Sequence, residues 1–220
     1  MSRTPSRSPR GQRAGDGRAA SRGSSAIVRV DPAFAEVVRE AGPVQWPAPS
    51  GDPFGALVEA ITYQQLAGPA ARAIHGRLVA LFDGAMTPAA LFATKPELLR
   101  GAGLSANKQR SILDLAMKSS DGTIPLHDLD QLSDDDVTAR LTQVRGIGVW
   151  TAQMFLIIQL SRPDVWPVLD LGVRSGWARI HGLAVTPTAR ELQPLGDPFR
   201  PHRSTVAWYC WRSVDTVLPV

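Results

Sequence analysis

Residues 144–155 read VRGIGVWTAQMF, and the fold prediction starts from this stretch. Two glycines, Gly146 and Gly148, interrupt a sequence that has helical character on both sides. Glycine permits a positive φ and lets another backbone approach closely, because it carries no Cβ. A helix that ends near Gln143, a tight turn and a new helix from about Val149 together predict a helix–hairpin–helix motif.

The same hairpin predicts an anion site. The second helix would begin with N–H groups at Gly148, Trp150 and Thr151 that have no carbonyl acceptor within the helix, with the positive end of its dipole behind them. Such groups suit a phosphate of a nucleic-acid backbone, and that contact positions a duplex without reading its sequence. For the hairpin taken alone, the alternative is a glycine-containing turn that binds no ligand.

Helix-start signals recur along the rest of the chain. They stand at Asp52-Pro53, Gly68-Pro69, Thr87-Pro88, Thr94-Lys95-Pro96, Ser105 and Ser133. Further helices are expected from Val149 to Leu160 and at about 170–180, 188–193 and 202–216. There is no alternating strand pattern of useful length and no internal repeat. The sequence therefore predicts an all-α fold, a multi-helix bundle in two lobes with a central cleft.

Composition narrows the class of protein. The chain has 220 residues, 44% of them hydrophobic, which is enough for one substantial core or two small lobes. No apolar run approaches the roughly 18 to 20 residues that span a bilayer, and the N-terminus lacks the apolar segment of a secretory signal. Cys210 is the only cysteine, which excludes an intrachain disulfide and a cysteine-ligated metal cluster. We therefore expect a cytoplasmic protein that does not contact a membrane.

The net charge of +4 is unevenly distributed. Residues 1–30 contain seven arginines and one acidic residue, whereas the remainder contains 17 basic and 19 acidic residues. A Ser/Arg/Gly/Pro segment buries too little apolar surface to offset its ordering entropy. Residues 1–28 are thus predicted to form a disordered tail, and residues 29–220 the folded domain. The tail either holds a polyanion or serves only as a solubilising leader.

Asp170, in the stretch VWPVLDLGVRSG, is the candidate catalytic residue. It follows Pro163 and Pro167 and directly precedes a predicted helix, so it stands at an N-cap position. An aspartate at such a position is most often only a cap. An N-cap aspartate that faces a cleft is also ionised and fixed in place, as a catalytic carboxylate must be.

The hairpin followed by PVLDLGVRSG resembles the helix–hairpin–helix DNA glycosylase superfamily, whose signature is a hairpin, a Gly/Pro-rich loop and an aspartate. Three more stretches are similar to its 3-methyladenine glycosylase II branch, in the compact form without an N-terminal β-domain. They are AITYQQLAGPAARAI at 60–74, GLSANKQRSILDLA at 103–116 and PHRSTVAWYCWR at 201–212. The resemblance spans about residues 30–215. It implies a nucleoid-associated monomer that flips alkylated purines out of duplex DNA and hydrolyses their N-glycosidic bond without a required cofactor.

The resemblance also implies roles for single residues. Asp170 matches the catalytic aspartate, which stabilises the developing positive charge on the sugar. Bifunctional members carry a lysine where this chain has Trp150, and no lysine follows Lys118, so a monofunctional enzyme is expected. The implied base pocket consists of Trp150, Trp211, Met154 and Leu171, whereas Trp208 and Tyr209 are candidates for the core.

The implied DNA contacts lie around the hairpin and after one predicted helix. Gln65 matches the residue that fills the gap left in the duplex. The full set of implied DNA-binding residues is Gln65, Lys108, Arg145, Gly146, Gly148 and Thr151. In relatives, hairpin carbonyls also hold Na⁺ or K⁺, and by position these are the carbonyls of Thr142, Val144 and Gly146.

Three other functions remain open at this point. The first is a non-catalytic helix–hairpin–helix module that binds DNA, which would require neither Asp170 nor the aromatic residues. The second is a glycosylase for another damaged base, including a bifunctional one. The third is a helical protein unrelated to DNA, which the near-neutral charge of residues 31–220 would suit.

Overall fold

A computed structural model describes residues 23–83 and 85–214 of the chain. All regular secondary structure within these residues is helical, which confirms the predicted all-α class. None of the helices described is long and apolar enough to span a membrane. The described residues divide into two compact units. The hairpin unit comprises Pro47–Arg162, and the aspartate unit combines residues of Met1–Trp46 and Pro163–Leu218. The cleft expected from the sequence stays a prediction.

The helices follow the sequence signals closely. The α-helices are α1 (residues 23–30), α2 (Ala35–Ala41), α3 (Pro53–Tyr63), α4 (Gly68–Ala80), α5 (Pro88–Phe92), α6 (Pro96–Gly101), α7 (Ala106–Ser120), α8 (Asp134–Leu141), α9 (Val149–Ile158), α10 (Leu171–Ile180), α11 (Ala189–Leu195) and α12 (Arg203–Ser213). Short 3₁₀ helices lie at Pro32–Phe34, Leu129–Gln131 and Asp197–Phe199.

In the hairpin unit, the predicted caps form hydrogen bonds to the first turns of their helices. The side chains of Asp52, Thr87, Ser105 and Ser133 each accept from a backbone N–H of the following helix. Helix α9 is apolar on nearly all sides and packs against α3 and α8, and its Phe155 and Leu156 are buried. The core of this unit includes Leu57, Ile61, Ile112, Leu115, Val137 and Leu141.

In the aspartate unit, α12 packs against both α10 and α2. The close approach of α10 and α12 depends on Gly176, because a Cβ at this position would overlap the backbone carbonyl of Cys210. Beside this contact, Trp177 stacks on His181 with ring centroids 4.2 Å apart and meets Phe34 edge to face. The aromatic cluster fills the interior of the unit.

The start of α12 is held by a partly buried ion pair between Arg203 and Asp164. The Nε of Arg203 donates to Oδ1 of Asp164 at 2.8 Å, and its Nη2 donates to Oδ2 at 3.0 Å. The backbone N–H of Ser204 donates to the Pro163 carbonyl, and the Ser204 hydroxyl accepts from the N–H of Val165. These bonds set the position of α12 relative to the loop that leads to α10.

The folded part begins earlier than the sequence analysis predicts. Residues 23–28 fall in the predicted disordered tail, but they are helical. Ile27 is buried, and the Ser24 hydroxyl lies 2.6 Å from the Tyr209 hydroxyl. The apolar residues of SSAIVRV supply the burial that the arginine-rich part of the tail lacks. Residues 1–22, which form the rest of the predicted tail, lie outside the described residues.

Candidate active site

Asp170 is the N-cap of α10, as the sequence predicts. Its Oδ1 accepts the backbone N–H of Val173 at 2.8 Å and the indole N–H of Trp211 at 2.9 Å. The residue is 9% exposed, and its carboxylate lies at the positive end of the helix dipole. Donors from two different helices therefore orient this carboxylate.

Trp211 is predicted to line a base pocket. Its side chain is 1% exposed, and its N–H is directed at Asp170. A Cβ on Gly172 would stand 2.9 Å from Cδ1 of the Trp211 ring, so a glycine there leaves room for the indole. In the structure, Trp211 is thus a buried hydrogen-bond donor to Asp170, and its place in a base pocket stays a prediction.

Cys210 is not a candidate nucleophile. Burial, reinforced by the negative charge of Asp170, raises the pKa of the Cys210 thiol far above its usual value. A thiol that does not ionise is inert as a nucleophile. The candidate catalytic group of this unit therefore stays the carboxylate of Asp170, as the sequence predicts.

Two leucines flank Asp170 in the sequence and are exposed. Leu169 is 55% exposed and Leu171 is 63% exposed. Leu171 is thus accessible to a ligand, and its place in a base pocket stays a prediction. Leu169 was not predicted as a site residue, and its exposure next to Asp170 is all that the structure adds.

The helix–hairpin–helix geometry is present between α8 and α9. Gly146 has a φ of +78°, and a Cβ at this position would stand 2.5 Å from Oγ of Ser111. Gly148 is the N-cap of α9, and a Cβ there would meet nothing within 4 Å. A glycine is therefore required at 146 by its backbone and its neighbour, whereas Gly148 leaves the approach to the helix N-terminus open.

The side chains at the start of α9 differ in exposure. Trp150 is partly exposed, whereas Thr151 is 5% and Met154 is 6% exposed. Met154 lies one helical turn after Trp150 on the same face of α9. Its burial differs from the predicted pocket role and fits a residue that supports the helix from the interior.

The two predicted basic contacts are placed differently. Arg145 is exposed next to the hairpin, and its backbone N–H donates to Oδ2 of Asp114 at 2.7 Å. The ammonium of Lys108 donates to the backbone carbonyl of Thr62 at 2.6 Å, and burial lowers the pKa of Lys108. Lys108 therefore caps the last turn of α3, and its predicted contact with DNA stays untested.

Gln65 is exposed in the turn after α3, and its φ is +58°. Its neighbour Gln64, which sequence reasoning missed, contacts the hairpin. The Nε2 of Gln64 donates to the Gly146 carbonyl at 2.9 Å and to Oγ1 of Thr151 at 3.3 Å. Nothing in the local pattern YQQLAG distinguishes the two glutamines, because the partner residues are more than 80 positions away.

Two of the hairpin carbonyls predicted to bind a monovalent cation already accept a hydrogen bond from the protein. The Val144 carbonyl accepts the N–H of Ile147 at 3.1 Å, and the Gly146 carbonyl accepts Gln64. Each carbonyl oxygen has a second lone pair, so a cation remains compatible with both contacts. No group of three or more His, Cys, Asp or Glu side chains among the described residues could hold a metal ion.

Comparison with known proteins gives the following similarities. Residues 58–201 match the family described as HhH-GPD superfamily base excision DNA repair protein. DNA-3-methyladenine glycosylase 1 of Schizosaccharomyces pombe is 34% identical over 165 residues, which cover 74% of this chain and 72% of that protein.

Two solved structures are also similar. A structure of the S. pombe 3-methyladenine DNA glycosylase in complex with abasic DNA has a TM-score of 0.80 and 30% identity, covering 90% of this chain and 98% of the other. A DNA-3-methyladenine glycosidase of Bacillus halodurans has a TM-score of 0.79 and 32% identity, covering 88% and 89%.

Proposed function

This chain belongs to the HhH-GPD superfamily of base excision DNA repair proteins, and we propose that it removes alkylated purines of the 3-methyladenine and 7-methylguanine type from duplex DNA. The family membership confirms the resemblance seen in the sequence. The substrate class is supported by relatives named for 3-methyladenine. The observation that carries the proposal is the buried carboxylate of Asp170, oriented by the N–H groups of Val173 and Trp211.

The chemistry requires a fixed negative charge. Cleavage of an N-glycosidic bond passes through an oxocarbenium-like sugar, which becomes positive as the base departs. A carboxylate already held in place stabilises that charge without reorganising. Asp170 meets this requirement because its Oδ1 has donors from α10 and α12. The same carboxylate orients the water whose oxygen bonds to C1′ and accepts a proton from it.

The proposed leaving group needs little activation. A 3-methyladenine or 7-methylguanine base carries positive charge in the nucleotide, so it departs as a neutral molecule. The ring of Trp150 is partly exposed on α9 and attracts such a cation by roughly 0.5 to 2 kcal/mol. We assign base contacts to Trp150 and Leu171, and we assign Met154 and Trp211 to the support of their neighbours.

The proposed contacts with the DNA backbone do not depend on the base sequence. Backbone N–H groups at the start of α9, with the exposed Arg145 beside them, bind a phosphate. Gln65 fills the gap left by the extruded nucleotide, as its exposed position in the turn after α3 allows. A Na⁺ or K⁺ ion at the carbonyls of Thr142, Val144 and Gly146 would reinforce the phosphate contact, without taking part in bond cleavage.

The enzyme is proposed to be monofunctional. A lyase step needs an amine that attacks the sugar and forms a Schiff base. The residue at the expected position is Trp150, and Lys118 is the last lysine in the chain. The product is therefore an intact strand with an abasic site. We further propose that the protein works as a monomer in the cytoplasm, at the nucleoid, and requires no cofactor.

The test uses purified protein and duplexes that contain methylated purines, deoxyinosine or uracil. Free base is measured directly, and strand breaks are counted before and after alkali. The Asp170→Asn variant keeps the side chain's shape and its cap oxygen but removes the charge. We expect release of 3-methyladenine or 7-methylguanine by the wild type, strand breaks only after alkali, and loss of at least about a hundredfold in rate for the variant.

Other outcomes distinguish the alternatives. Release of uracil or hypoxanthine alone would keep the mechanism and replace the substrate. Salt-sensitive binding of DNA without release of any base would identify a binding module in which Asp170 is only a helix cap. A covalent adduct trapped by borohydride would contradict the monofunctional assignment.

A further inference from the structure

The turn between α3 and α4 has an unusual backbone. Gln64 has φ −49° and ψ 130°, and Gln65 has φ +58°. The N–H of Leu66 closes the turn on the Tyr63 carbonyl at 3.2 Å. A turn with these central residues is of type II, which favours glycine at the position that Gln65 occupies. A non-glycine residue persists in this conformation only when its surroundings hold it there.

The side chain of Gln64 supplies such a constraint. Its amide nitrogen donates to the Gly146 carbonyl at 2.9 Å and to Oγ1 of Thr151 at 3.3 Å. The orientation of the amide is settled, because a backbone carbonyl only accepts. One partner lies in the hairpin turn and the other in the first turn of α9. Gln64 thus ties the turn that presents Gln65 to the part of the hairpin that receives a phosphate.

The hairpin to which Gln64 is bound is itself held on α7. The backbone N–H of Arg145 donates to Asp114, and the ammonium of Lys118 donates to the Gln143 carbonyl at 2.6 Å. Burial opposes ionisation of Asp114, but the hydrogen bonds from Arg145 and Lys118 outweigh it and lower the pKa of Asp114. The hairpin therefore offers Gln64 a fixed point of attachment.

We infer that Gln64 is a positioning residue that couples the phosphate contact of the hairpin to the insertion of Gln65 into the duplex. This inference rests on the proposed function. Gln64 acts through the turn and needs no contact with DNA itself. Because the backbone of the turn is already ordered in the free protein, little conformational entropy is lost there when Gln65 fills the gap.

The experiment uses a duplex with a tetrahydrofuran abasic analogue opposite 2-aminopurine, whose emission reports whether the gap is filled. Affinity and emission are compared for the wild type, Gln64→Met, Gln65→Ala and the double variant. Methionine keeps the length of the side chain and removes the donor. Gln159→Met is the matched control, because Gln159 accepts a bond from Ser50 at the opposite end of α9.

We expect Gln64→Met to weaken affinity about fivefold to tenfold, as loss of the two hydrogen bonds from the Gln64 amide allows, and to remove most of the emission change. Adding Gln64→Met to Gln65→Ala should cause little further loss, because both act through one event. The control should match the wild type. Additive losses, or a Gln64→Met protein that behaves like the wild type, would overturn the coupling.

Two further measurements keep the result decisive. If the Gln64→Met protein unfolds at a lower temperature than the wild type, Gln64→Asn is measured in its place. Asparagine keeps the amide group on a side chain that is one methylene shorter. Base release from methylated duplexes is measured separately. A wild type that fills the abasic gap without releasing an alkylated purine would contradict the proposed substrate and leave the coupling intact. Additive losses in an active enzyme would contradict the coupling alone.

Discussion

The indole N–H of Trp211 donates to Asp170 across 2.9 Å, in an interior where the tryptophan is 1% exposed. A hydrogen bond to a charged acceptor contributes roughly 1.5 to 3 kcal/mol, more than one between neutral groups. Since Oδ1 also accepts the N–H of Val173, the carboxylate is fixed from two directions. Loss of either donor would remove one of the two hydrogen bonds that orient the carboxylate, which the proposed reaction needs in a fixed position.

We predict that Trp211→Phe lowers the rate of base release by about tenfold to a hundredfold, because the charge-assisted bond is lost. The affinity for undamaged duplex should change little, because the buried side chain of Trp211 cannot contact DNA. Single-turnover rates and binding isotherms measure the two effects. Trp208→Phe is the matched control on the same helix, because the Trp208 indole nitrogen has no hydrogen-bond partner among the described residues. Equal losses for both variants would contradict the role assigned to Trp211.

Of the two adjacent glutamines in YQQLAG, only Gln65 was predicted as a site residue from the sequence. The resemblance to the family identified Gln65, and the exposed position of this residue fits the role of filling the gap. The family resemblance gave no reason to single out Gln64, because the hydrogen-bond partner of Gln64, Gly146, lies 82 positions further along the chain. Adjacent residues of the same type acquire different roles only through backbone angles and distant contacts.

Helix α12 depends on contacts at its start and along its length. Gly176 lets α10 approach its backbone, and Arg203 anchors its first turn on Asp164. Burial opposes the charge on Asp164, but the hydrogen bonds and charge of Arg203 outweigh it and hold the pKa of Asp164 below its usual value. Because α12 carries Trp211, this ion pair indirectly sets the position of the indole.

We predict that Asp164→Asn lowers the free energy of unfolding at pH 7 by about 3 kcal/mol, because it leaves the buried Arg203 without its charged partner. A carboxyl whose pKa is depressed in the folded state stabilises the fold above its unfolded pKa, near 3.9. That contribution is lost as the pH falls through the folded pKa. The difference between variant and wild type should therefore shrink below about pH 4.

Urea denaturation across this pH range measures the effect. Glu40→Gln serves as the control, because Glu40 pairs with Arg39 at 3.3 Å and its side chain is 61% exposed. Its removal should cost less than about 1 kcal/mol. A pH-independent loss for Asp164→Asn would show that packing, not charge, holds the start of α12.

The helices and the N-cap position of Asp170 could be predicted because their signals are local. Asp52, Ser105 and Ser133 stand within three residues of the N–H groups that they cap. The contact of Trp211 with Asp170 spans 41 positions and depends on how closely two helices cross. A pocket role assigned from the pattern AWYCWR therefore missed the burial of Trp211. The early start of the folded part was missed because arginine-rich composition obscured the few apolar residues around Ile27.

The distribution of charge over the whole chain leads to a last prediction. Residues 1–22 carry six arginines and one acidic residue, whereas the chain after residue 30 is slightly acidic. Each phosphate neutralised on duplex DNA contributes about −0.9 to the slope of log K against log salt. We expect a protein that begins at residue 23 to bind DNA with a slope smaller in magnitude by several units, at most about 5.

This truncation removes charge and keeps α1, whose Ser24 and Ile27 make the contacts that hold it in the aspartate unit. Base release at saturating duplex should therefore be unchanged, because Asp170 and its donors remain in place. Replacing the six arginines of residues 1–22 by glutamine in the full chain should reproduce the lower slope. If all three proteins had the same slope, the salt-dependent part of DNA binding would come entirely from the residues after 22. The arginine-rich segment would then have only a solubilising role.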